Sequence, residues 1–156
     1  MDDLSPPLVS PLPPLGRRNW QAQLSLGFAQ RDQRSYLAHR RHQGPLVVQK
    51  SLHPEGDEVC HAVVVHPPGG VAGGDALHLS VNVDAGAHAL LTTPGAGKWY
   101  KANGLRAEQT LAFNVATGAV LEWLSQENIL FDAADVRFDA QIELATDACF
   151  AGWEVV

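Results

Sequence analysis

Apolar residues fall on every second position from Trp20 onward, where Ala22, Leu24, Leu26 and Phe28 are separated by polar or small residues. The same period of two returns at Leu77, Leu79, Val81 and Val83, at Leu111, Phe113 and Val115, and at Val136, Phe138, Ala140, Ile142 and Leu144. Successive side chains of a strand point to opposite faces, so this pattern predicts strands buried on one face. Shorter apolar runs from Leu46 to Val48, Val63 to Val65, Ala89 to Leu91 and Val120 to Leu124 predict more fully buried strands, and Gly, Asp, Asn or Pro separates most of them. No segment holds the helical period over ~10 residues or more. The expectation is an all-β domain of short strands, arranged either as stacked sheets or as a coil of strands. Exact internal repeats are absent.

Residues 1–16, MDDLSPPLVSPLPPLG, break the pattern. A proline-rich stretch of this kind buries little, so a mobile arm is expected there, followed by one β domain over residues 17–156. With 156 residues, 46% of them hydrophobic, the chain can build one real core. The two cysteines, Cys60 and Cys149, form no CxxC pair, which argues against a disulfide framework or a zinc ribbon. The acidic start lacks the basic-then-apolar form of a signal peptide, and no apolar run approaches the ~20 residues of a membrane span. A cytoplasmic protein is expected, with no membrane partner.

The net charge of −6 hides an asymmetry. Residues 1–50 carry seven basic and three acidic groups, whereas residues 51–156 carry four basic and fourteen acidic. Affinity for nucleic acid rests mainly on neutralising phosphates, so the acidic body disfavours that partner. Arg17, Arg18, Arg31, Arg34, Arg40 and Arg41 read as solvated strand edges and turns.

Three segments are candidates for chemistry. HAVVVHPPGGVAGGD, residues 61–75, joins an apolar run to Pro67 and Pro68, then to Gly69, Gly70, Gly73 and Gly74, and ends in Asp75. Prolines fix φ and glycines admit positive φ and close approach, so the segment builds one specific turn, and something passes close to its backbone. TTPGAGKWY, residues 92–100, places Thr92, Thr93, Pro94 and Gly95 before Gly97-Lys98, yet Trp99 stands where a P-loop needs a hydroxyl. It reads as a turn presenting Lys98 and Tyr100. Cys60, His61 and His66 are ligand types for Zn²⁺ or Ni²⁺. On a strand from Val59 to His66, however, Cys60 and His66 face one side and His61 the other, which argues against a tight site. Glu122 and Glu127 in EWLSQENILF are the available carboxylate pair, and no nucleophile elbow or HExxH motif accompanies them.

Taken in order, GPLVVQKSLHPEG (44–56), CHAVVVHPPGGVAGGD (60–75), LLTTPGAGKWYKANG (90–104) and LEWLSQENILF (121–131) resemble the urease accessory protein UreD family, called UreH in some bacteria. The motif residues carrying the resemblance include His66, Lys98, Tyr100, Glu122, Trp123, Gln126 and Glu127. It implies a β-helix-like fold of stacked short strands. Family members run on past the pair that here is Trp153-Glu154, so the chain is expected to match the N-terminal portion and to lack the C-terminal part of the family fold.

The resemblance further implies a scaffold and not an enzyme. UreD-like proteins bind the urease structural subunits and UreF, with the GTPase UreG joining through UreF, and they assist Ni²⁺ delivery to the urease active site. No tightly bound cofactor is implied, only Ni²⁺ in transit. Asp75 and Glu154 match acidic positions that line a proposed internal nickel passage. Hard oxygen ligands release a divalent ion more readily than a thiolate, which favours them over Cys60. The sequence departs from the family at Gly97, where a small hydroxyl residue is usual, and at Ser125, where proline is usual. Two other readings stay open: a metal-dependent hydrolase using Cys60, His66, Asp75 and Glu122, and a metal-free β-sheet interaction module.

Overall fold

The period of two becomes strand after strand in the computed structural model, which describes residues 19–156. The proline-rich stretch expected to be mobile, with Arg17 and Arg18, lies outside the described residues. The strands are β1 (Gln21–Arg31), β2 (Arg34–Gln43), β3 (Val47–Val48), β4 (Val59–Val65), β5 (Ala76–Val83) and β6 (His88–Thr92). They continue as β7 (Gly97–Trp99), β8 (Ala107–Val115), β9 (Val120–Leu124), β10 (Asn128–Leu130), β11 (Val136–Leu144) and β12 (Cys149–Trp153). No helix occurs among the described residues.

The strands pile into three walls, so the chain is all-β and β-helix-like. The first wall has the order β11-β8-β5-β1-β2, the second β12-β9-β6-β4-β3, and the third is the pair β10-β7. The third wall is extended by a parallel bridge from Val71 to Trp99. Among the named strands pairing is parallel except in the β1–β2 and β3–β4 pairs, and an isolated antiparallel bridge joins Leu52 to His61. The chain thus climbs one layer per circuit, and Val83 stacks on Val115 and Val115 on Leu144, in steps of 32 and 29 residues.

A repeat does exist, and it sits in the corners. Between the first and second walls the chain turns through Asp84–Ala87, Ala116–Ala119 and Ala145–Ala148, each closed by a hydrogen bond from the fourth N–H to the first carbonyl at 3.0, 3.0 and 3.2 Å. The third residue of each turn has positive φ: Gly86 at 73°, Gly118 at 65° and Asp147 at 57°. Gly and Asp tolerate that region, so DAGA, ATGA and ATDA are interchangeable in conformation although not identical in sequence. Successive corners also bond, Gly86 N–H to Thr117 C=O and Gly118 N–H to Thr146 C=O, both at 3.2 Å.

Inward residues stack in rows across the layers. Leu26, Val81 and Phe113 form one row and Phe28, Val83 and Val115 the next, all at most 2% exposed. From the second wall Ala89, Leu121 and Leu91, all fully buried, close the core. Full burial of one such large side chain stabilises the fold by about 1.5–3 kcal/mol.

The structure amends several expectations. Trp20 precedes β1 and is 50% exposed, so the buried register begins at Ala22. Ile142 and Leu144 keep the inward register but are 38% and 50% exposed, because among the described residues no strand stacks beyond β11. β2 carries no apolar alternation; it forms as the return arm of a hairpin whose two-residue turn, Asp32 and Gln33, has φ 50° and 62°, the type I′ signature. The segment read as a turn presenting Lys98 contains β7. β4 ends at Val65, one residue before His66, and alternation holds within it: Cys60 is buried and His61 points outward.

Candidate functional site

The glycines of HPPGGVAGGD are approached closely, and the approaching groups belong to the chain itself. A Cβ at Gly70 would collide with the Tyr100 ring, and one at Gly73 with the carbonyl oxygens of Ala102 and Leu105. Gly69 and Gly74 have φ of 73° and 92°, which bends the segment around these contacts. Val71 N–H donates to Lys98 C=O and Tyr100 N–H to Val71 C=O, both at 2.8 Å, so the segment becomes the outermost strand-like piece of the third wall. The Tyr100 ring then packs against Phe131 with centroids 5.1 Å apart.

Asp75 closes this segment from inside. Its Oδ1 accepts from Trp20 N–H at 2.8 Å and its Oδ2 from Ala72 N–H at 2.9 Å, with the residue 8% exposed. Both carboxylate oxygens are therefore engaged by backbone donors, the part an Asp plays when it ties a turn.

Where the four motifs meet, the three walls frame a part-open pocket of about 220 Å³, wide enough to hold several waters. Leu46, Val64, Leu77 and Leu111 supply apolar lining, and His66, Gln109, Ser125, Asn128 and Glu154 supply polar groups; Asp75 is not among the lining residues. Glu154 Oε1 accepts from Trp123 Nε1 at 2.8 Å and Gln109 Nε2 at 3.3 Å, and its Oε2 accepts from Asn128 Nδ2 at 2.7 Å. Asn128 Oδ1 in turn accepts from Trp99 Nε1 at 2.9 Å. The two buried indoles thus find partners through one amide and one carboxylate. Asn128 also sits against Gly97: its Oδ1 lies 2.6 Å from where a Cβ would stand, so a side chain there requires the Asn128 amide to shift.

His66 differs from its neighbours, since its Nε2 is buried and has no hydrogen-bond partner among the described residues. Burial lowers its pKa, against a smaller opposing pull from the Asp75 charge. A buried unpaired nitrogen is costly unless water or an ion in the cavity satisfies it.

The other candidates are held apart. Cys60 is fully buried in the core, and burial raises its thiol pKa despite the opposing pull of nearby Ser51. His61 is on the outer face with Nε2 2.6 Å from Glu55 Oε1, and Glu122 is on the outer face bonded to His88 Nε2 at 2.7 Å. Cys60, His66, Asp75 and Glu122 therefore do not form one hydrolytic centre, and among the described residues no three His, Cys, Asp or Glu side chains converge as metal ligands. Glu127 is exposed and contributes its carbonyl to Gly97 N–H at 2.9 Å. Thr92 and Thr93 act as rivets: Thr92 Oγ1 donates to Leu124 C=O at 2.7 Å, and Thr93 Oγ1 accepts from Gln126 N–H at 2.9 Å. Pro67, Pro68, Pro94, Gly95 and Lys98 are exposed around the same region.

Sequence reading missed Asn128, Gln109 and Trp99. A signal existed for Gln109, the polar member of an otherwise apolar inward register leading to Leu111, Phe113 and Val115. Asn128 sits in a run without any period.

The fold and site define a class: a β-helix-like protein whose sequence motifs converge on one part-open pocket. Comparison with known proteins gives the family. The sequence profile described as UreD urease accessory protein matches residues 21–156. The Urease accessory protein UreD of Methylobacillus flagellatus is 59% identical over 139 residues, covering 89% of this chain and 49% of that protein. Those of Dechloromonas aromatica and an Azoarcus species are 53% and 57% identical, covering 88% and 87% of this chain and 48% of each relative. The chain belongs to the UreD urease accessory protein family, and it spans about half the length of these curated relatives.

Proposed function

We propose that the chain serves urease maturation as a non-catalytic cytoplasmic scaffold. In this reading it binds the urease apoprotein and UreF, with UreG joining through UreF, and assists passage of Ni²⁺ towards the urease active site. The observation that carries the reading is the pocket, because the motifs that resemble the family converge to line it. Its wall offers a carboxylate at Glu154 and, at His66, an imidazole nitrogen unpaired among the described residues, both ligand types for a borderline divalent ion. Two sparse ligands hold such an ion weakly, which suits transit. Asp75 contributes differently: with both oxygens on backbone donors it shapes the wall and supplies a nearby fixed negative charge.

Glu154 already accepts three hydrogen bonds, which favours a second reading in which it is a structural tie and no ion touches it. Glu154→Gln in the full-length protein separates the two, since the amide keeps an acceptor oxygen and removes the charge. The transit reading expects reduced nickel incorporation into urease while assembly with UreF and apoprotein persists. Unchanged incorporation with intact assembly would refute transit past Glu154, and loss of both together would assign the residue to folding or docking. Among the described residues no helix is long and apolar enough to cross a membrane.

A further inference from the structure

We propose that the free edge of β2 is a docking site for an acidic, extended segment of a partner protein, which joins the first wall as an added strand. β2 ends the order β11-β8-β5-β1-β2, so one of its edges faces away from the sheet. On that side Ser35 N–H bonds Asp57 C=O at 2.9 Å, but among the described residues no backbone group from Ala38 to Gln43 finds a partner outside the β1 ladder. All six of these residues are exposed. The matching edge of the second wall is handled otherwise: it ends in β3, only two residues long.

The edge is also the most cationic part of the described chain. His39, Arg40, Arg41 and His42 are consecutive, β2 contains no Asp or Glu, and among the described residues neither Arg40 nor Arg41 forms an ion pair. Alternation sends His39 and Arg41 to the outer face, in register with Gly27 and Ser25, and Arg40 and His42 to the other. Cations therefore flank the edge on both faces. A strand laid along it presents its own side chains to both faces in turn, ~5 Å from their opposite numbers. The complementary ligand is a run of consecutive acidic residues in extended form, bound by main-chain hydrogen bonds with charge setting the choice.

Two other occupants fit less well. A second copy pairing β2 with β2 sets Arg40 and Arg41 against their own kind, which is repulsive. Nucleic acid meets residues 51–156, with four basic and fourteen acidic groups. Arginines on an edge also block indiscriminate strand pairing, but that role predicts no preference for an acidic strand.

The test uses the full-length protein and a fluorescein-labelled nonapeptide with two glutamates to each valine, followed by fluorescence anisotropy. The expected result is saturable binding that slows amide exchange from Ala38 to Gln43. Binding should weaken about tenfold or more in Arg40→Glu/Arg41→Glu, with melting unchanged because both side chains are exposed. The same peptide N-methylated at alternate residues keeps its charge but loses main-chain donors, and it should also bind about tenfold or more weakly. No binding at millimolar peptide overturns the proposal. So does equal binding of the methylated peptide, equal binding by the double variant, a single-stranded oligonucleotide of matched charge bound as tightly, or a dimer that depends on Arg40 and Arg41. None of these outcomes bears on nickel transit.

Discussion

The layers built on β8 and on β11 have nearly the same inward pattern and opposite fates. Leu111, Phe113 and Val115 are at most 3% exposed, whereas their stacking partners are Ala140, Ile142 and Leu144, of which Ile142 is 38% and Leu144 50% exposed. The difference does not lie in residue type or alternation. It lies in what stands on each side: β8 is stacked between β5 and β11, while β11 has a neighbour on one side only among the described residues. In a stacked-layer protein each layer contacts only its neighbours, so burial is a property of position in the stack.

Truncation should expose that contrast most strongly. Phe113→Ala should cost about 3–5 kcal/mol in urea denaturation, and Ile142→Ala in the same row under ~1 kcal/mol. Equal costs would show that the β11 face is covered in solution. Next comes the wrap of the third wall. Gly73→Ala drives a Cβ into two backbone carbonyls and should cost ~1–3 kcal/mol. Gly95→Ala, where among the described residues no atom beyond the chain neighbours lies within 4 Å of the added Cβ, should stay within ~0.5 kcal/mol. A neutral Gly73→Ala would mean that this approach relaxes freely.

Glu154 links the two compared layers, because it follows β12 and accepts from Gln109 on β8, Trp123 on β9 and Asn128 on β10. Glu154→Ala strands those donors and should cost about 1–3 kcal/mol, with Trp123 fluorescence changing as its indole N–H loses its partner. A smaller effect follows from His66. Its pKa is lowered in the folded state, so the unfolded chain binds more protons as pH falls. This contribution to stability is fully present above the unfolded value of ~6.5 and is lost as pH drops through the lower folded value. His66→Gln should flatten that part of the stability-pH profile, and an unaltered slope would place the ring in water. The smallest effect concerns reactivity alone: iodoacetamide should label exposed Cys149 quickly and Cys60, buried with a raised pKa, only on unfolding. Equal labelling rates would erase the distinction between the layers at these positions.

Much of the fold was legible from Leu77–Val83 and Leu111–Val115, because a wall buried on one face writes its period directly into the chain. β2 was not, since its formation depends on the Asp32–Gln33 turn and on pairing with β1 rather than on apolar alternation. The solenoid repeat was hidden because it resides in the conformation of Gly86, Gly118 and Asp147, which two residue types satisfy. The site was half legible. Glycine density announced a close approach near Asp75, but Asp75 meets Trp20, 55 positions away, and Glu154 meets Asn128 across 26. Spacing in sequence contains no trace of such partners.

The seat of Gly73 against the Ala102 and Leu105 carbonyls has a consequence for recombination. Residues 60–75 and 98–106 are two halves of one fitted joint, although more than twenty positions separate them in sequence. A chimera that imports either half from a relative with different backbone spacing there inherits a mismatch at the joint, however similar the graft. Crossover points after Val83 or Val115, at the interchangeable corners, cut the molecule where its parts share a common fitting.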